Sequence, residues 1–149
     1  MSGTTLRIVL AGVLFFHGIG QIMGVIPALQ LSVLEGKDSG WMQNWSSQSW
    51  ALNPLLGDAA ARVICIVLFT LSFIGFAGAA LALVGWKVPH DMWRSMALVS
   101  AALSMVAIIF YWNALILLFP HKIGNIAVNT AVLVSLLAVN WPAESDLGF

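Results

Sequence analysis

The sequence predicts an all-α membrane protein, a four-transmembrane-helix antiparallel bundle with a Trp-rich interfacial loop between the first two helices. Three observations carry that expectation. The 149 residues are 60% hydrophobic and only 8% charged, whereas soluble domains carry about 25% charged residues. Four apolar runs follow one another, each near the roughly 20 residues that a helix needs to cross a bilayer core. All five prolines, at 27, 54, 89, 120 and 142, fall at the ends of those runs, where a residue without a backbone N–H belongs.

The first run is opened by Arg7 and closed by Pro27, so the expected span is about 6–27. Its apolar stretch of about 19 residues exceeds a signal-peptide core, and no clean small-x-small cleavage site follows; it is expected to be a retained span. His17 lies near its middle and Gln21 one turn later. A lone imidazole at bilayer depth is costly and belongs against protein. The Gly20-x-x-x-Gly24 spacing predicts a close helix approach. Residues 28–58 form the one long connection, with Trp41, Trp45 and Trp50 among polar neighbours. Such rings settle at the membrane–water interface, which makes the loop an anchor, with a lid over an interhelical pocket as the alternative.

The second span, about 59–86, is entered through Asn53-Pro54 and an Asp58–Arg62 pair at helical spacing. Cys65, Ser72, Gly75, Ala79 and Ala82 form a small-residue stripe suited to packing. Trp86, Lys87, Pro89, His90, Trp93 and Arg94 surround a tight interfacial turn. In the third span, about 94–119, Ser100, Ser104, Ala107, Tyr111 and Ala114 share a face. Asn113, two residues from Tyr111, points elsewhere, which leaves Tyr111 as the pocket candidate. Pro120-His121-Lys122 turns the chain into the fourth span, about 121–141, where Asn125 and Asn129 lie one turn apart. Trp141 and Pro142 close it, and Glu144 and Asp146 form an acidic tail.

Several chemistries are unsupported. Zero net charge without a basic run speaks against nucleic acid as a partner. The single cysteine, Cys65, excludes an intrachain disulfide and a CxxC redox pair. His90 and His121 belong to opposite interfaces, so neither joins His17 as a second haem ligand. No three-ligand zinc set is present. Basic residues tie, with Arg7, Lys87 and Arg94 on one side and Lys37, Arg62 and Lys122 on the other, so the positive-inside rule leaves orientation undecided.

Depth, counted at about 1.5 Å per residue, brings His17, Gln21, Tyr111, Asn125 and Asn129 towards one half of the bilayer, with Cys65 and Thr70 nearby. These are the candidate ligand-binding residues. Two roles fit them: ordinary interhelical hydrogen bonds, or a pocket for an amphipathic molecule. No Asp or Glu lies within a span at the depth of His17, so its expected partner is a hydroxyl or an amide, with Tyr111 and Asn129 nearest. Gly20, Gly24, Ser72, Gly75, Ser100 and Ser104 are the expected packing positions, and Trp41, Trp45, Trp50, Trp86, Trp93 and Trp141 the expected anchors.

The opening run from Leu6 to Gln21, with an arginine at the helix start and Phe16-His17-Gly18 at its centre, resembles the first helix of DoxX-like membrane proteins. The resemblance extends to the four-span plan and the long first connection. It implies a multi-pass protein of a bacterial or archaeal inner membrane with cytoplasmic termini. It also implies a subunit or accessory protein of a membrane oxidoreductase complex, in contact with quinone or lipid and without a cofactor of its own. The implied partners are the bilayer and other membrane subunits or further copies of the chain. His17, Gly18, Gly20 and Gln21 are the positions that carry over. Beside this stand a lipid-binding or lipid-modifying protein using the same cavity, with His17 as an acid–base group, and a small oligomeric carrier.

Overall fold

The computed structural model describes residues 2–28, 49–112 and 122–149. All regular structure among these residues is helical: α1 (Gly3–Ala28), α2 (Leu52–Leu56), α3 (Asp58–Val84), α4 (Trp93–Phe110), α5 (Ile123–Leu133) and α6 (Glu144–Leu147). A 3-10 turn over His90–Met92 leads into α4, and α5 continues as a π-helical segment, Val134–Val139. Three of the helices are long and apolar enough to cross a membrane, and Ile123–Val139 is a shorter apolar helix. Trp41, Trp45, Asn113, Ala114, Pro120 and His121, with most of the long connection and the end of the expected third span, lie outside the described residues.

Long apolar helices pack through their smallest residues. Gly18 of α1 meets α3 so closely that an added Cβ would sit 3.0 Å from the Phe76 Cβ and 3.4 Å from the Phe73 carbonyl oxygen. One turn and a half further along α1, the Phe69 ring lies on Gly24, 2.6 Å from where a Cβ would stand. Gly75 and Gly78 of α3 receive Ser100 and Met96 of α4. Rising numbers on α1 meet falling numbers on α3, and the same reversal holds between α3 and α4. The backbones of α4 and α5 also pack together, whereas those of α1 and α5 scarcely meet.

Gly20 departs from expectation. Nothing stands within 4 Å of its would-be Cβ, and only Gly24 of that pair faces another helix. Around the helix Gly20 lies only about 40° from Gly24 and about 160° from Gly18, so the spacing permits an approach that no neighbour makes at Gly20. The first helix also runs one residue beyond Pro27, within the ordinary scatter of helix ends.

Two buried clusters divide the molecule. The larger gathers Ala11 and Leu14 of α1, Phe76 to Leu83 of α3, Trp93, Ala97 and Ala101 of α4, Leu136 and Leu147. Trp93 therefore corrects the expected anchor. It is 4% exposed, because it opens α4 on the same face as Ala97 and Ala101 and so points inward. Trp50, Trp86 and Trp141 are exposed, with the Lys87 ammonium 5.4 Å from the Trp86 ring centre. The smaller cluster holds Ala28, Cys65, Phe69, Ala107, Ile108 and Tyr111.

Both ends of the chain and the α3–α4 turn meet at one end of the molecule. The Phe149 ring lies 4.6 Å from the His90 ring and 4.9 Å from the Arg7 guanidinium. The acidic tail is thus a built element. Helix α6 lies against the start of α1, Gly3 leaves no room for a Cβ beneath Leu147 and Gly148, and Leu147 is fully buried. At the other end, Ser49 accepts a hydrogen bond from the Leu52 N–H at 3.0 Å. Asn53 accepts one from the Ser49 N–H at 2.9 Å. Asp58 accepts from Asn53 and pairs with Arg62 at 3.1 Å, one turn along α3.

Candidate functional site: a polar chain across three helices

The inward face of α1 turns polar at its middle, where His17 and Gln21 lie one turn apart. Asn129 and Asn125 of α5 face them at the same spacing in the opposite sense. His17 Nε2 is 2.8 Å from Asn129 Oδ1, and Gln21 Nε2 donates to Asn125 Oδ1 at 2.9 Å. Ser104 of α4 completes the group, donating to Gln21 Oε1 at 2.9 Å and accepting from Asn129 Nδ2 at 2.7 Å. Gln21, Ser104 and Asn129 have no exposed surface. Burial without partners would cost each of these groups one to three kcal/mol or so; here each has one.

Amide and imidazole orientations follow from a fixed backbone acceptor. The Gln21 side-chain nitrogen lies 3.4 Å from the His17 carbonyl oxygen; an oxygen at that point would oppose another oxygen. With Gln21 so oriented, its Oε1 accepts from Ser104, whose oxygen accepts from Asn129, whose Oδ1 faces His17 Nε2. From Asn129 through Ser104 and Gln21 to Asn125 the hydrogen bonds run one way, and His17 Nε2 meets both ends of that run, 2.8 Å from Asn129 Oδ1 and 3.4 Å from Gln21 Nε2. All members are neutral polar or aromatic side chains, and α1, α4 and α5 carry no carboxylate.

His17 differs from the rest in being only half-buried. Its ring stands edge-on to Phe76, with centroids 4.8 Å apart and an 80° interplanar angle, which sets the plane while Asn129 holds one nitrogen. Nδ1 has no hydrogen-bond partner among the described residues, yet it is not sealed off: Ser72 Oγ is the one fully enclosed, unpartnered side-chain polar atom among them. Beside this layer, between α1, α4 and α5, runs an apolar cleft of about 230 Å³. Val13 and Leu14, one turn before His17, form one wall; Val128 and Val132, on either side of Asn129, form another; Trp93, Trp141 and Pro142 stand at the far end.

At that far end the last helix loosens. Arg94 donates to the Leu136 carbonyl oxygen and, at 2.6 Å, to Asn140 Oδ1. The Trp141 N–H reaches back to the Ser135 carbonyl oxygen at 2.8 Å, and Asn140 takes a left-handed conformation with φ 55°. An arginine that captures a helix carbonyl frees the turn to widen, and such π segments are frequent at functional sites.

Of the expected ligand candidates, His17, Gln21, Asn125 and Asn129 come together. Tyr111 does not. Its hydroxyl donates to the Ala61 carbonyl oxygen, beside Cys65, whose Sγ lies 3.8 Å from the Gly24 carbonyl oxygen. Tyr111 is seven residues beyond Ser104 along α4, or roughly 10 Å at 1.5 Å per residue, too far for the layer. Trp50 caps that region, donating to the Ile109 carbonyl oxygen at 2.7 Å. Ser104, expected to be a packing residue, is instead the hub; its place on the inward face at the depth of Gln21 was the available signal. Ser100 bonds back to the Met96 carbonyl oxygen at 2.7 Å and fits the packing role. Nothing in the chain pointed to the contact of Arg94 with the last turn. Among the described residues no three His, Cys, Asp or Glu side chains gather as a metal site. Comparison with protein-family models, curated proteins and solved structures finds no match for the chain.

Proposed function

We propose that this chain is a four-span membrane protein, with α1, α3, α4 and α5 as an antiparallel bundle, that holds a lipid-soluble ligand at the seam between α1 and α5. The observation that carries this is the half-buried His17 ring, held by a buried polar chain, one turn along α1 from Val13 and Leu14, which line an apolar cleft. A purely structural layer would have no need of an ionisable ring with an open nitrogen. Such residues at membrane depth mark functional sites more often than not. Transmembrane placement is supported by large apolar side chains exposed along α1, α3 and α4, among them Ile8, Phe16, Val63, Ile74 and Val99, since extended apolar surface marks a membrane or partner contact. The meeting of both termini with the α3–α4 turn supports an even number of crossings.

By its resemblance to DoxX-like proteins, the chain acts as an integral subunit or accessory protein of a membrane oxidoreductase complex in a bacterial or archaeal inner membrane, with both termini cytoplasmic. The ligand class is then quinone, quinol or membrane lipid, and redox centres belong to its partners. Native mass spectrometry of protein extracted from quinone-containing membranes tests the site. A retained molecule of that class is expected, lost when Val132→Trp fills the cleft. Retention undiminished in the filled variant would refute the site. Ser2→Cys and Ser145→Cys should escape a membrane-impermeant thiol reagent in intact cells, against the silent background of the buried Cys65.

A further inference from the structure

We propose that an anionic phospholipid, from the leaflet on the side of the chain termini, seats one hydrocarbon tail in the apolar cleft and rests its phosphate on Arg94. This occupant presupposes the reading of the seam as a ligand site and narrows the ligand to a charged membrane lipid. The cleft is bounded inward by Val13, Leu14 and Val128 and ends at Trp93, Trp141 and Pro142. It thus lies in one half of the bundle, between the polar layer and the end where the termini meet. From Val128 to Leu136 it runs about 12 Å, at about 1.5 Å per residue. A volume of about 230 Å³ over that length gives a mean cross-section of roughly 20 Å², the bore of a single hydrocarbon chain. Val13, Leu14, Val128 and Val132 make its inner walls aliphatic, and the polar groups of Ser135, Trp93 and Trp141 belong to its outer end. A quinone ring lodged inside would set a carbonyl oxygen against aliphatic wall, at the cost of an unmade hydrogen bond. A lipid tail buries nothing polar.

A tail gains little by leaving the bilayer for such a cleft, because the surrounding lipid is as apolar as the walls. Selectivity therefore belongs to the polar end. Arg94 follows Trp93 in the chain and donates to the Leu136 carbonyl oxygen, and both of those residues line the cleft. It also donates to Asn140, which precedes the Trp141 that closes it. The guanidinium is not part of the apolar wall but touches it, at the level where the exposed Trp141 indole suits the membrane–water boundary. Both acceptors are neutral and both are met by Nη2. Three of the five guanidinium N–H donors thus have no hydrogen-bond partner among the described residues. The carboxylates of this end, Asp91, Glu144 and Asp146, form no ion pair with it; the pair between Asp58 and Arg62 lies at the opposite end. A guanidinium with donors to spare is complementary to phosphate, and basic positions between helices hold acidic headgroups. Net charge does the selecting, since the ammonium group of a zwitterionic lipid offsets its phosphate. One arginine near the surface corresponds to a preference of about fivefold for the anionic lipid.

The test uses the full chain in detergent micelles, with bound molecules counted by native mass spectrometry. Palmitoyl-oleoyl phosphatidylglycerol, the matching phosphatidylcholine and decylubiquinone are titrated separately. The phosphatidylglycerol should bind about fivefold more tightly than the phosphatidylcholine, and added salt should narrow the gap. Arg94→Gln should bring the two lipids level, Lys122→Gln at the opposite end should not, and Val132→Trp should weaken both. Because Arg94→Gln also frees the last turn of α5, the wild-type protein supplies a second reading. Phosphatidylglycerol with a diazirine midway along one tail should, on irradiation, label the cleft wall at 13–14 or 128–136. Equal affinity for the two lipids, a preference that survives Arg94→Gln, or labelling confined to other faces would overturn the anionic-lipid assignment. In that event, decylubiquinone that binds wild type and is lost from Val132→Trp would keep the seam as a ligand site. If no probe responds to Val132→Trp, the seam reading falls as well.

Discussion

Asn129→Leu probes the polar chain at its most connected point. Leucine keeps asparagine's branched skeleton of four side-chain heavy atoms while replacing both polar atoms by bulkier methyl groups, so the loss of hydrogen bonding is the main chemical change. Asn129 has no exposed surface, accepts from His17 at 2.8 Å and donates to Ser104 at 2.7 Å. Interhelical hydrogen bonds in membrane proteins average about 0.6 kcal/mol and reach about 1.7. Two such bonds give an expected loss of about 1–3 kcal/mol, with His17 Nε2–H left stranded and Ser104 still held by Gln21. Since α1 and α5 scarcely touch through their backbones, the loss should fall on their association and leave α1–α3 intact. Equilibrium unfolding in mixed micelles measures the total. A double-mutant cycle with His17→Phe isolates the pair, with an expected coupling of about 0.6–1.7 kcal/mol. An Asn129→Leu protein within about 0.3 kcal/mol of wild type, with a coupling equally close to zero, would refute the network.

Three further expectations are testable by the same unfolding assay or by hydrogen exchange. Ser72→Ala should be neutral or stabilising by up to about 1 kcal/mol, because the hydroxyl is enclosed without a partner; a loss above about 1 kcal/mol would reveal a bond through water. Gly18→Ala should destabilise, since its Cβ would press on Phe76 and the α3 backbone, whereas Gly20→Ala, with nothing nearby, should be neutral or gain up to about 1 kcal/mol in helix propensity. Equal effects at the two glycines would show that α1 is rotated. Arg94→Lys keeps the charge but loses the planar fork that spans the Leu136 carbonyl and Asn140. Amide exchange over 136–141 should rise several-fold, and unchanged exchange would dissociate Arg94 from the widened turn.

What was legible in the sequence is what periodicity and depth alone determine. Apolar runs and prolines marked the helices because hydrophobic length and a missing N–H act locally. His17, Gln21, Asn125 and Asn129 could be placed together because, counted from the ends of their runs, a number of residues converts directly to a depth in ångströms. Tyr111 went astray by the same arithmetic: seven residues past Ser104 it lies about 10 Å deeper, and a face shared along a helix is not a shared level. Gly20 misled because a small-residue spacing says that an approach is allowed, not which neighbour makes it; Gly18, two residues earlier, is where α3 arrives. Trp93 misled because an indole at a helix start suits an interface or a core equally, and only its alignment with Ala97 and Ala101 turns it inward. The least legible features join residues distant in sequence without a local signal. Helix α6 folds back on Gly3, and Arg94 opens the end of α5. The second of these stands where the cleft ends at Trp141 and Pro142. A straight α5 would keep the Leu136 carbonyl bonded within its own helix. Once Arg94 has taken that carbonyl, the helix end can shift without leaving a backbone acceptor unpaired. The polar layer, with Asn129 held from two sides, is thus the more rigid end of the cleft's surroundings, and the turn governed by Arg94 the looser one.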